Sequence, residues 1–193
     1  MLRLTMIYDI LELSKSEDER QNVNYENIEL AGFVNEELSS FEYLIEERRL
    51  SVALSGDLNV KTDRKMLKSL IDNLLSNALK YATEDSEVTI DIGDAEISVV
   101  SDNADRNGRI KRRGRKQASI LSYKRIIITN KIPEPIDRTS EELAKPYVKG
   151  DNSRGGRNGS GVGLAIVENM AKKLKFKVSY EITDEEFSVS ITM

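Results

Sequence analysis

Residues 62–82 constrain the fold more than any other stretch, because two different surfaces are written on one helix. In TDRKMLKSLIDNLLSNALKYA the apolar residues recur at three- and four-residue spacing. That spacing predicts an amphipathic helix capped by Thr62 or Asp63. At about 100° per residue, Asn73, Asn77, Lys80 and Tyr81 fall within roughly one third of its circumference. Leu74, Leu75, Ala78 and Leu79 point largely elsewhere, toward a plausible sheet. A row of two carboxamides, an ammonium and a phenol is either an exposed polar flank or an arrangement that holds something.

The remaining segments supply the sheet. Residues 1 to about 18 read as an amphipathic helix whose broad apolar face wants a partner, in this chain or another. A short extended piece, NVNY, precedes a long helical pattern from 26 to about 49. SVALS and LNVKT predict two short strands around a Gly56–Asp57 turn. VTIDIGD and AEISVVS alternate like a hairpin, and LSYKRIIITN is the most β-branched run in the chain. Residues 131–158 are polar, rich in glycine and charge, and without a sustained period, a length that marks a functional lid or disorder. GVGLAIVENMAKKL returns to helix, and FKVSYEIT with EEFSVSITM closes the chain as a hairpin. The expected class is α+β: a two-layer sandwich with helices on one face of a mixed, mostly antiparallel sheet, preceded by one amphipathic helix.

Composition narrows the chemistry. The 193 residues suit one domain with a proper core plus a short appendage. There is no cysteine and no histidine, which removes disulfides, thiolate zinc sites and the commonest general base. Any catalysis must use carboxylates, amides, lysine, arginine, backbone groups and a borrowed ion. A net charge of −4 gives no global pull toward nucleic acid or anionic membrane. No apolar run approaches the roughly 20 residues that cross a bilayer, and the opening residues carry too much charge for a signal peptide. The chain as given is cytosolic in character.

The second informative stretch is NGSGVGLAIVENM, where Gly159, Gly161 and Gly163 alternate as the long loop becomes a helix. Glycines let backbone approach an anion, and the first N–H groups of a helix favour phosphate. Alone this pattern is weak, since such runs are often hinges. A P-loop is absent, and a loop stands where a dinucleotide motif needs a strand.

NLLSNALKYA followed by a loop ending in GSGVGLAIV resembles the catalytic, ATP-binding domain of bacterial sensor histidine kinases, of the superfamily that includes Hsp90, DNA gyrase and MutL. The resemblance implies the Bergerat ATP-binding fold with ATP and Mg²⁺ as cofactors. It makes Asn77 the Mg²⁺ ligand, Asn73 its companion, Lys80 a phosphate contact and Tyr81 the aromatic beside the nucleotide. Amide oxygens are hard ligands suited to Mg²⁺. EELAKPYVKGDNSR resembles the family's lid: Tyr147 matches its aromatic, Lys149 the usual arginine and Arg154 a second basic position. Asn77, Lys80 and Lys149 are the implied catalytic residues. Ile132, Gly159, Ser160, Gly161, Val162, Gly163 and Leu164 complete the implied nucleotide contacts.

The resemblance also implies a division. Residues 1–20 match the end of the second helix of a dimerisation hairpin, and 21–193 match the catalytic domain, with a lid at about 131–158. The helix that bears the phosphoaccepting histidine in the family is not in this chain, in keeping with its zero histidine count. The implied partners are that histidine-bearing helix of the same kinase and a response regulator. The intact kinase would be a homodimer and this fragment a monomer, from the cytoplasmic portion of a membrane-bound sensor; no nucleic acid is expected.

One motif departs from the family. Where D-x-G-x-G usually holds adenine, the strand RIIIT ends in Asn130, Lys131 and Ile132, without glycines. Asp102 or Asp105 near Gly108 is the other candidate, but would leave an oversized segment before the lid, so the spacing favours Asn130. A carboxamide can both accept from and donate to adenine. SDNADRNGRIKRRGRKQAS, at about 101–119, is an insertion relative to the family. Its dense basic run is a solvated hairpin tip or a contact for an acidic partner, membrane or nucleic acid. A calcium-loop reading of it fails, because Gly114 stands where a bidentate Glu is needed. The implied reaction is transfer of the ATP γ-phosphoryl group to histidine. Two alternatives remain: a nucleotide-binding regulatory module without phosphotransfer, suggested by the altered adenine motif, and a serine kinase of the same superfamily. The preceding helix and the form of the asparagine motif oppose the latter.

Overall fold

A computed structural model describes residues 10–16, 22–101, 117–143, 145–148 and 160–193. Helix α1 covers 10–16, followed by strand β1 (Glu26–Glu29), helix α2 (Leu30–Leu38), a 3₁₀ turn (Ser39–Phe41) and helix α3 (Glu42–Glu47). Strands β2 (Ser51–Ser55) and β3 (Asn59–Thr62) lead into helix α4 (Arg64–Tyr81). Strands β4 (Glu87–Ser101) and β5 (Gln117–Lys131), helices α5 (Ser140–Leu143) and α6 (Gly163–Leu174), and strands β6 (Lys177–Ile182) and β7 (Glu186–Thr192) complete the chain.

The main sheet runs β2-β4-β5-β7-β6, with only the β2–β4 pair parallel. Period-two alternation decides which face is covered. Val88, Ile90, Ile92, Ile126, Ile128, Val189 and Ile191 are buried, whereas Glu87 and Asp91 stand in solvent. On the covered face lies α4, whose Leu67, Leu70, Ile71, Leu74 and Leu75 are almost wholly removed from water, worth about 2 kcal/mol each. Beside it packs α6 through Ile166, Val167, Met170 and Leu174. The result is the expected α+β sandwich of a mixed sheet with helices on one face. Among the described residues, no helix is long and apolar enough to cross a membrane.

Three local expectations are corrected. The helical pattern from 26 to about 49 is broken: its first four residues form β1, and a 3₁₀ turn separates α2 from α3. Strands β2 and β3 exist but do not pair with each other. Strand β2 pairs with β4 in the main sheet, Ser51–Ser55 opposite Glu87–Asp91, while β3 pairs with β1. Gly56, at φ +71°, diverts the chain between them, and a Cβ there would run into the Ile92 carbonyl. Finally, VTIDIGD and AEISVVS are one continuous strand, β4, whose partner is β5. Gly93 sits opposite Arg125 without turning the chain.

Candidate nucleotide site

The cap and the end of α4 fix where its polar row stands. Asp63, not Thr62, is the N-cap: its Oδ1 accepts from the N–H groups of Lys65 (2.9 Å) and Met66 (3.0 Å). Its Oδ2 accepts from Asn24 N–H at 2.7 Å, tying the preceding segment to the helix. At the other end the chain leaves the helix at Ala82, and the buried Arg48 takes the freed carbonyls. Its Nη1 donates to Lys80 O at 2.6 Å and its Nη2 to Ala82 O at 2.5 Å. Sequence reasoning passed over Arg48; the only signal was a helix end with no glycine after it.

Asn73 and Asn77 face the start of α6. A Cβ built on Gly163 would lie 3.2 Å from Asn73 Oδ1 and 3.2 Å from Asn77 Nδ2, so the two helices meet where one has no side chain. Asn73 is oriented by its own helix, with Nδ2 donating to Ser69 O at 2.8 Å. Among the described residues, Asn77's half-exposed carboxamide makes no hydrogen bond and Lys80's ammonium no ion pair. The residue before α6, Val162, makes no side-chain cap hydrogen bond to it.

The loop end closes against the same point. Gly161, at φ +74°, offers its carbonyl to Tyr147 N–H at 2.7 Å. A Cβ on Gly161 would come within 2.9 Å of Val148 O. Tyr147 itself has φ +66°, with an exposed ring. Ser160 and Leu164 are half-buried and Val162 is buried beside them. Lys149, Arg154 and Gly159 lie outside the described residues, as does the basic run at 102–116.

Below the end of α4 sits Asn130, only 2% exposed, with its side chain on the helix-facing side of β5 alongside Ile126 and Ile128. Its Nδ2 donates to Lys131 O at 3.2 Å, a carbonyl that also accepts from Thr83 N–H at 2.8 Å. Asn130 is thus linked to the chain leaving Tyr81. Ile132 is buried and donates its N–H to Glu185 O at 2.8 Å. Asp102 lies outside the described residues, but its neighbour Ser101 is 13 positions along β4 from Val88, the partner of Asn130. At the rise of a strand, that is about 40 Å along β4 from Val88.

Helix α1 lies across α4 and α6. Leu13 joins the core, Ser69 Oγ donates to Glu12 Oε1 at 2.5 Å and Asn169 Nδ2 donates to Ser16 Oγ at 2.9 Å. Immediately before Asn73, the half-exposed Asp72 meets Lys68 Nζ at 2.9 Å, yet burial pushes its carboxyl above the ordinary range.

Two amides thus face the start of α6, and a buried carboxamide is tied to the chain that leaves α4. Residues 62–193 match the family of histidine kinase-, DNA gyrase B- and HSP90-like ATPases. The chain belongs to that family. As a member of this ATPase family it carries an ATP-binding domain of the histidine-kinase type. The sensor histidine kinase HprS of Escherichia coli is 25% identical over 185 residues, which is 96% of this chain and 35% of HprS. The autoinducer 2 sensor kinase/phosphatase LuxQ of Vibrio vulnificus is 26% identical over 184 residues, 92% of this chain and 19% of LuxQ. The chain thus spans about a third or less of the length of these curated relatives. Among solved structures, the Acinetobacter baumannii histidine kinase AdeS shares the fold with a TM-score of 0.66 at 21% identity, covering 97% of this chain and 75% of that one. Full-length ShkA in complex with AMPPNP gives 0.67 at 16% identity, covering 97% and 35%.

Proposed function

We propose that this chain is the ATP-binding catalytic part of a two-component sensor histidine kinase. It would transfer the ATP γ-phosphoryl group to a histidine on a dimerisation helix. Residues 1–20 are then the end of that dimerisation hairpin and 21–193 the catalytic domain. The observation that carries the reading is Gly163 set against Asn73 and Asn77, an opening that a single methyl would narrow.

The donor set fits Mg²⁺, because amide oxygens are hard and neutral and leave room for water and phosphate ligands. Asn77 would hold the ion, with Asn73 oriented by Ser69 O as its support. A bound Mg²⁺ supplies charge neutralisation between the phosphates. The Lys80 ammonium would offset phosphate charge, and Lys149 and Arg154 would add to it. The glycine entry, with Gly159, Gly161 and Gly163 and the backbone of Ser160, Val162 and Leu164, would wrap the triphosphate with N–H groups. Asn130 would read adenine, with Ile132, Tyr81 and Tyr147 against the nucleotide. In the transfer, a ring nitrogen of the acceptor bonds to the γ-phosphorus, the bond to the β–γ bridging oxygen breaks, and ADP leaves. Since the chain has no histidine, the acceptor and the base that takes its proton come from another segment. The proposed partners are that segment, in a homodimeric kinase on the cytoplasmic side of a membrane, and a response regulator.

A regulatory module without phosphotransfer is the second reading, favoured by the uncharged Asn130 and the buried Ile132 in place of a glycine. One reconstitution separates them. The chain is mixed with a histidine-bearing dimerisation domain, ATP and Mg²⁺, and phosphohistidine is measured against an Asn77→Ala control. Phosphohistidine above the control supports the kinase; nucleotide binding without transfer supports the module.

A further inference from the structure

We infer that Arg48 is a positioning residue for the nucleotide site, holding the last turn of α4 so that Lys80 and Tyr81 stand over Asn130. The inference rests on the nucleotide reading proposed for that site.

A helix needs only a glycine or water to finish its last carbonyls. Here no glycine follows Tyr81, and the guanidinium of Arg48, a residue only 9% exposed, does the work instead. Burying that charge is costly unless its bonds are good. Arg48 reaches the carbonyls of Lys80 and Ala82 at 2.6 and 2.5 Å, where a cation also meets the negative end of the helix dipole. Its backbone is engaged as well, N–H to Leu44 O at 3.2 Å and its carbonyl accepting from Asp85 N–H at 3.3 Å. A glycine cap would end α4 without attaching it to anything. Arg48 ends it and fixes it to the corner between α3 and β2.

The attachment continues to the sheet. Thr83 N–H and Asn130 Nδ2 share Lys131 O, and Ser86 Oγ donates to Thr83 O at 2.6 Å. Residues 80–86 are therefore stitched to β5 on one side and to Arg48 on the other. Lys80 and Tyr81 owe their distance from Asn130 to both sets of bonds. The neighbouring Arg49 pairs with Asp85 and Glu84 in solvent, where such pairs contribute little.

The test uses the full chain with Arg48→Met, Arg48→Lys and, as a destabilised control remote from α4's end, Val60→Ala. Calorimetric titration with ATP and ADP in Mg²⁺ is run well below each variant's melting temperature. Arg48→Met is expected to weaken ATP and ADP alike by about tenfold, because the base and lysine side is what shifts. The Mg²⁺ dependence, set by Asn77, stays as in the parent, and Val60→Ala binds as the parent does despite its lower Tm. Arg48→Lys, which reaches one carbonyl, recovers part of the loss and carries the same test should Arg48→Met not fold. A folded Arg48→Met within about twofold of the parent overturns the inference, as does an equal loss in Val60→Ala. A parent chain that binds neither nucleotide overturns the proposed function itself, and the inference with it.

Discussion

Gly163→Ala should separate stability from nucleotide binding. Gly163 is the first residue of α6 and its φ is outside the left-handed region, so alanine fits the backbone without strain. In a helix interior, replacing glycine by alanine gains about 1 kcal/mol, and at a first position a fraction of that. The added methyl meets Asn73 Oδ1 and Asn77 Nδ2 at 3.2 Å and Asn77 Oδ1 at 3.4 Å. Those contacts are a few tenths of an ångström too close, and the side-chain amides can give way. The fold therefore keeps its stability, while both carboxamides leave the positions at which they would support Mg²⁺. A displacement of that size should weaken Mg²⁺-ATP by about tenfold, near 1.4 kcal/mol. Thermal unfolding and calorimetric titration on the same sample check both halves. Unchanged affinity would show that the α4–α6 contact is not the ligand face, and a large fall in Tm would show that it is core packing instead.

Other substitutions probe the remaining links. Asn77→Ala removes a carboxamide without a hydrogen bond among the described residues, so Tm should hold while Mg²⁺-ATP binding is lost in titration. Asp63→Ala deletes acceptors for Lys65, Met66 and Asn24 N–H and should cost about 2 kcal/mol in urea unfolding, with little change in affinity at low temperature. Asp72→Asn tests a carboxyl held above its ordinary range by burial. Below the unfolded value both states are protonated and the group contributes nothing. As pH rises the unfolded chain ionises first, so native stability is lost until the folded carboxyl ionises too. The Asn variant should match the parent in strong acid and equal or exceed its Tm at neutral pH; a lower neutral-pH Tm would mean that the Lys68 pair outweighs burial.

The meeting of α4 with the start of α6 was more legible than the local topology. Asn73, Asn77 and Lys80 could be placed on one flank because helical periodicity is rigid, and the glycines marked the facing helix start. Pairing of short strands was not legible, since alternation in SVALS and LNVKT gives a face but no partner. They lie in different sheets, with Gly56 passing close to Ile92 between them. VTIDIGD and AEISVVS looked like a hairpin because each alternates, but a ladder of continuous register on β5 makes them one strand. The pattern from 26 to 49 kept helical spacing through β1, where pairing with β3 decides the conformation. Arg48 left no periodic trace at all, because its partners are backbone carbonyls 32 and 34 residues away.

The most direct measurement is a crystal structure of the chain with Mg²⁺ and a non-hydrolysable ATP analogue. The account predicts the triphosphate between α4 and the start of α6, the ion on Asn77 Oδ1 and the purine beside Asn130. A nucleotide bound away from Asn73, Asn77 and Gly163 would contradict it.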